Sequence, residues 1–144
     1  MSNKTNFWKM NIALIIAGGS GNRMGQDIPK QFLHINNKPV ILYTMEAFQN
    51  SPLIDEIMVV TLPSWKDMIW AYAKQFGITK LKYLVDGGDT GQQSILCGLK
   101  ELEKNHNLSD VVMVHDGNRP MISQEIIADS LAVYQQYGSA VAAI

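Results

Sequence analysis

Short apolar runs of strand length recur along the chain at residues 12–17, 57–62, 81–85, 111–114 and 140–144. Between them lie longer stretches with helical spacing, at about 39–49, 65–76, 93–104 and 124–136, bounded by breakers such as Ser51-Pro52, Gly77, Asn105 and Gly138. A strand that is apolar throughout needs cover on both faces, and a helix between consecutive strands is the connection that parallel pairing requires. The expected order is β-α-β-α-β-α-β-α-β, an α/β layered domain with a mainly parallel sheet. No internal repeat or low-complexity linker interrupts it.

The other bounds agree with one compact domain. The chain has 144 residues, within the usual range for a single core. Hydrophobic residues make up 47% and charged residues 17%, too apolar for a disordered chain and too interrupted for a membrane protein. Twelve basic residues against thirteen acidic ones leave a net charge of -1, which argues against a nucleic-acid partner. The single cysteine, Cys97, permits no internal disulfide and no multi-cysteine zinc site, so a cytoplasmic setting is expected. Lys4 and Lys9 ahead of Ile12-Ala13-Leu14-Ile15-Ile16-Ala17 imitate a signal peptide. Those six apolar residues are far short of the ~20 that span a bilayer. Residues 1–11 are expected to form a flexible extension and 12–144 the domain.

In open parallel sheets, ligands bind beyond the carboxyl ends of the strands. Three such ends carry unusual residues: Gly18-Gly19-Ser20-Gly21-Asn22-Arg23-Met24-Gly25, Asp86-Gly87-Gly88-Asp89, and His115-Asp116-Gly117-Asn118-Arg119-Pro120. The chain has ten lysines but only two arginines, Arg23 and Arg119, and both fall in these loops. A planar, permanently charged fork suits phosphate oxygens. Closely spaced glycines let backbone N–H groups surround an anion, so the first loop points to a phosphate. The two common nucleotide fingerprints nevertheless fail. Met24 stands where the dinucleotide pattern needs glycine, and no Gly-Lys-Ser/Thr closes a P-loop.

Taken together, Ala17-Gly18-Gly19-Ser20-Gly21-Asn22-Arg23-Met24, Pro29-Lys30-Gln31-Phe32-Leu33, Gly87-Gly88-Asp89 with Ser94, and His115-Asp116 with Arg119-Pro120 resemble the cytidylyltransferases that act on methylerythritol 4-phosphate or ribitol 5-phosphate. The resemblance runs from about Ile12 to Ile144 and covers roughly the first two thirds of such an enzyme. It implies a three-layer Rossmann-like nucleotidyltransferase fold, here truncated at its C-terminus. It also implies transfer of CMP from CTP to a sugar-alcohol phosphate, with Mg2+ as cofactor and release of pyrophosphate, by a homodimer when full length. By matching position, Ala17, Gly18, Gly19, Ser20 and Gly21 would wrap the triphosphate, and Arg23 and Lys30 would be catalytic, Lys30 on the α-phosphate. Gly88, Asp89 and Ser94 would approach the cytidine, Asp116 would hold the metal, and Asp116 and Arg119 would face the acceptor. The chemistry needs no general base, because the attacking phosphate oxygen is already ionised. Positioning and countercharge are what must be supplied.

Other readings stand beside these. Lys30 is also placed to start a helix, Asp116 to cap its own turn or pair with Arg119, and Asp89 to cap the following helix. Cys97 is expected in the core with Leu96 and Leu99. His34, His106 and His115 are expected to be structural or at the surface, and Trp65, Trp70 and Tyr72 to cover the second crossover. Three features depart from the family pattern. Gly91 stands where an arginine is usual, and Gly117-Asn118 replaces a small or apolar pair. The chain also stops within the apolar run 140–144, which predicts exposed apolar surface and a partial domain. Ala17-Gly18-Gly19 leans toward the ribitol-phosphate members and Val85-Asp86-Gly87-Gly88-Asp89 toward the methylerythritol members. Methylerythritol phosphate, and so isoprenoid biosynthesis, is the preferred acceptor reading, with ribitol 5-phosphate the alternative. Another sugar nucleotidyltransferase, or a nucleotide-binding fragment without turnover, are the remaining alternatives.

Overall fold

The computed structural model describes residues 9–18 and 28–139. The elements follow the expected alternation: β1 (Asn11–Ala17), a small hairpin of β2 (His34–Ile35) and β3 (Lys38–Pro39), α1 (Val40–Gln49), β4 (Glu56–Thr61), α2 (Lys66–Gln75), β5 (Leu81–Asp86), α3 (Gly91–Glu103), β6 (Val111–Asp116) and α4 (Gln124–Tyr137). Four strands form a parallel sheet in the order β5-β4-β1-β6. The run 140–144, expected as a fifth strand, lies outside the described residues.

Each strand is apolar on both sides because each side is covered. Ala13, Ile15, Ala17, Ile57 and Val59 pack with Ile41, Met45 and Phe48 of α1, Ile69 of α2, and Ile127 and Leu131 of α4. Ile12, Leu14, Met58 and Val60 pack on the other side with Leu102 and Ile95 of α3. The chain steps from β1 to β4 to β5 in one direction and then crosses back to β6 beyond β1. A crossover of the same hand running the opposite way must lie on the opposite face, which is why α3 alone among these helices covers the second side. Three layers result. The reversal leaves a crevice between the ends of β1 and β6, the switch point at which open sheets take ligands.

The register makes that end a level rim. Ala17 lies opposite Thr61, Thr61 opposite Asp86, and Ile16 opposite Asp116. At the other end of the sheet, the His106 ring joins the segment after α3 to the start of β4. Its Nδ1 lies 3.0 Å from the Leu102 carbonyl and its Nε2 2.7 Å from Glu56 Oε1. Burial, then the charges on Glu56 and Glu101, push the neighbouring Tyr83 phenol above the ordinary tyrosine range.

Several expectations change. β1 begins one residue before the expected boundary. Asn11 donates its N–H to Asp55 Oδ2 at 2.7 Å and its Nδ2 to the Leu53 carbonyl at 2.8 Å, so this part of residues 1–11 is tied into the fold. The hairpin was not anticipated; its turn residues Asn36 and Asn37 sit at φ 52° and 68°, where asparagine is tolerated. In α3 the face against the sheet is Ser94, Gly98 and Leu102, whereas Leu96 and Leu99 are exposed and Cys97 is half-buried. A Cβ on Gly98 would come within 2.6 Å of Leu14 Cδ1, so the helix is seated by its small residues. Trp65 does cover the expected region, stacked on Phe32 at 4.2 Å, and Trp70 is exposed. Among the described residues no helix is long and apolar enough to cross a membrane.

Candidate functional site

A cavity of about 420 Å3 opens at the switch-point rim, walled by the end of β1 (Ile16, Ala17, Gly18), the loop into α3 (Gly88 to Gly91, Ser94) and the end of β6 (His115, Asp116, Asn118). Parallel strands bring these distant segments together by ending level.

The first wall is held by its carbonyl. Ala17 O accepts from Gln31 Nε2 at 2.9 Å and from Thr61 Oγ1 at 3.3 Å, and both side chains are buried. Gln31 sits in a single 3-10 turn, Lys30–Phe32, so its bond to Ala17 pins that turn against the end of β1. Lys30 opens the turn and is exposed.

The second wall closes around Ser94. Its Oγ accepts the Gly88 N–H at 3.1 Å, and a Cβ on Gly18 or Gly87 would approach that oxygen to 2.9 or 3.0 Å. A side chain at either position would crowd the Ser94 hydroxyl, so glycine lets the two strand ends close on the helix. Thr90 caps α3, its side chain accepting from the Gln93 N–H at 3.1 Å, while Gln93 Oε1 accepts from the Asp89 N–H at 2.8 Å. This is the reciprocal arrangement of a capping box shifted by one residue. Asp89 is therefore not the cap, and its side chain is left for the cavity it lines. Because the N–H groups of Gly88, Asp89 and Gln93 bond within the loop, this wall is pre-shaped. Gly91 has nothing within 4 Å of where a Cβ would stand, so the position where an arginine was expected is open space on the cavity wall. Replacing Ser94 with alanine leaves the Gly88 N–H without its acceptor and is expected to cost about 1–2 kcal/mol, read as a lower urea midpoint at unchanged m-value.

The third wall is a tight turn. Gly117 N–H donates to Ile16 O at 2.8 Å and Gly117 O accepts from the buried Thr44 Oγ1 at 3.0 Å. A Cβ there would meet Ile16 O at 3.0 Å. His115 donates from Nε2 to the Arg119 carbonyl at 2.9 Å, with its ring edge-on to Phe48 at 5.3 Å. Arg119 Nε stands 4.0 Å from Asp116 Oδ2, too far for a hydrogen bond, and the arginine lies outside the lining.

Of the residues singled out in the sequence, Ala17, Gly18, Gly88, Asp89, Ser94 and Asp116 meet at this cavity. Lys30 and Arg119 are not in the lining, though each is next in the chain to a residue that is, Gln31 and Asn118, and Gly19, Ser20, Gly21 and Arg23 lie outside the described residues. Gln31, Thr90, His115 and Asn118 also line it without having been assigned a site role. Thr90-Gly91-Gln92-Gln93 spells a capping box and so carried its own signal; the place of His115 and Asn118 on the cavity wall carried none. Among the described residues no group of three or more His, Cys, Asp or Glu could hold a metal. Mg2+ characteristically takes one or two carboxylates and completes its shell with phosphate oxygens and water. The cavity is lined by two carboxylate residues, Asp89 and Asp116, and Asp116 fits that mode.

The family model described as "IspD: 2-C-methyl-D-erythritol 4-phosphate cytidylyltransferase" matches residues 11–144. The chain is 41% identical over 135 residues to the ribitol-5-phosphate cytidylyltransferase of Lacticaseibacillus paracasei, covering 94% of this chain and 58% of that protein. It is 38% identical over 136 residues to the 2-C-methyl-D-erythritol 4-phosphate cytidylyltransferase of Clostridium acetobutylicum, covering 91% and 56%. The fold is similar to that of the 4-diphosphocytidyl-2C-methyl-D-erythritol synthase of Anaerococcus prevotii, at a TM-score of 0.70 and 26% identity, over 89% of this chain and 52% of that one. The chain thus spans a little over half the length of the relatives it matches.

Proposed function

The chain belongs to the IspD family, and from that premise we propose that its rim binds CTP and serves the transfer of CMP to a sugar-alcohol phosphate. The observation that carries this reading is the cavity at the switch point, with the Gly88–Ser94 wall facing the Asp116 turn across the end of β1. A phosphate oxygen of the acceptor attacks the α-phosphorus of CTP. The new P–O bond forms as the bond to the bridging oxygen of the β-phosphate breaks, and pyrophosphate leaves with that electron pair. No proton has to be removed, so the protein's part is alignment and countercharge. Lys30 and Arg23 supply positive charge to the α-phosphate, the glycine loop after Ala17 surrounds the triphosphate, and the fixed wall of Gly88, Asp89 and Ser94 receives the base. Asp116 would hold Mg2+, which would supply positive charge to offset that of the triphosphate.

Between the two acceptors we favour ribitol 5-phosphate. Of the two curated relatives compared above, the ribitol enzyme is the more similar over nearly the same span, and the Ala17-Gly18-Gly19 start leans the same way. Methylerythritol 4-phosphate is the second reading, supported by the family model's description and by Val85-Asp86-Gly87-Gly88-Asp89.

Thermal shift with nucleotide and Mg2+ tests the site. CTP at 100 times its Kd is expected to add about 2.7 kcal/mol of stability, with ATP and NAD giving a smaller shift at equal concentration. Equal shifts from all three, or a larger one from NAD, would refute the cytidylyl reading. Pyrophosphate release with CTP and each acceptor separately then ranks the acceptors, and a higher rate with methylerythritol 4-phosphate would reverse the preference.

A further inference from the structure

We propose that Asn118 is a positioning residue that holds the Asp116 carboxylate in one orientation for the cation accompanying the nucleotide, a role that rests on the proposed function. Both side chains line the cavity. The Asp116 carbonyl accepts from the Arg119 N–H at 3.1 Å, closing the turn, and Oδ1 accepts the Asn118 backbone N–H at 3.2 Å. In the orientation that gives its nitrogen acceptors, the Asn118 amide also donates to Oδ1 at 2.9 Å and to Oδ2 at 3.2 Å.

An ionised carboxylate has about four lone-pair directions. Two donors occupy Oδ1, one occupies Oδ2, and the remaining direction on Oδ2 is left for a cation. The arrangement therefore presents one oxygen rather than a two-oxygen bite, which suits a small cation that keeps most of its shell for phosphate oxygens and water. The last side-chain torsion of aspartate is otherwise broad and soft. Arg119 restrains it only weakly, through an ion pair in which Nε is 4.0 Å from Oδ2 and the arginine side chain is 69% exposed. Gly117 cannot, having no side chain and its two backbone groups committed to Ile16 and Thr44. The two residues that depart from the family pattern thus divide the work: Gly117 latches the turn to β1 and α1, and Asn118 aims the carboxylate. A small apolar residue at 118 would keep the backbone N–H but offer the carboxylate no side-chain donor.

The experiment titrates Mn2+, read by its free-ion electron paramagnetic resonance signal, into CTP with the chain in excess over the nucleotide and, as reference, into CTP alone, for the parent and for Asp116→Ala, Asn118→Ala and Asn118→Ser. Metal-free CTP binding and thermal midpoints are measured in parallel. Loss of a partner to a metal-binding carboxylate commonly costs 10–100-fold in affinity, so Asn118→Ala is expected to weaken Mn2+ binding about 10-fold. Metal-free CTP binding should not change, and Asn118→Ser, which keeps a donor near the carboxylate, should recover part of the loss. If Asp116→Ala weakens Mn2+ and Asn118→Ala does not, the inference is overturned while the site stands. An Asn118→Ala variant that loses metal-free CTP binding and thermal stability in parallel with Mn2+ overturns it too, by making the residue structural. A parent that with CTP binds Mn2+ no more tightly than CTP alone does, or an Asp116→Ala variant that binds it normally, removes the proposed function and this inference with it.

Discussion

Lys30→Ala in the active enzyme is expected to lower kcat by about 10²-fold or more, with little change in folding stability. Removing one charged or hydrogen-bonding group aimed at a developing anion typically has that effect. The expectation of unchanged stability comes from the structure. Lys30 is exposed, and the turn it opens is anchored by its neighbours, Gln31 through Ala17 O and Phe32 through Trp65. Exposed substitutions away from caps and packing contacts usually stay within about 0.5 kcal/mol. Arg23→Ala is expected to act in the same direction and to a similar extent. Steady-state kinetics with thermal midpoints on both variants checks this; near-normal turnover in both would put the phosphate site elsewhere.

The four sheet strands were legible because each is a short apolar run, and their parallel direction follows from connections long enough to hold a helix; their order in the sheet does not. What periodicity misread was α3. Hydrophobic spacing gives weight to Leu96 and Leu99, whereas a helix pressed close to a sheet is seated by residues too small to register, Ser94 and Gly98. The hairpin at residues 34–39 escaped for a different reason. Two residues on each strand are too few to show alternation, and the signal lay in Asn36-Asn37, a pair suited to positive φ.

The candidate site was legible as loops rather than as contacts. Strand ends in a parallel sheet share a rim whatever their separation in sequence, so residues near positions 18, 88 and 116 could be brought together on topology alone. The jobs done inside each loop could not. Asp89 and Thr90 are both good caps, and only the backbone at Thr90, with its φ of -124° and ψ of 163°, decides between them. His115 looked structural and is so in one sense, its ring bonding the Arg119 carbonyl, yet the same residue forms part of the cavity wall.

That double duty predicts a link between core packing and the site. Phe48 is fully buried on α1 and presents its ring to His115. Phe48→Ala is expected to destabilise the protein by about 3–5 kcal/mol, the usual cost of emptying a phenylalanine site, and Phe48→Leu by much less because most of the volume remains. Four positions earlier on the same helix, Thr44 donates to Gly117 O; Thr44→Val removes that donor at nearly constant shape, at about 1–2 kcal/mol. Both side chains support the turn that carries Asp116, so their effects are not independent. In a double-mutant cycle by urea unfolding, the Thr44→Val, Phe48→Leu pair is expected to depart from additivity by about 0.5 kcal/mol or more, as residues sharing one network do. Strict additivity would mean that the turn holds its shape without α1. In that case the position of Asp116 would depend only on the bonds within residues 115–119 and on the Gly117 contact with β1.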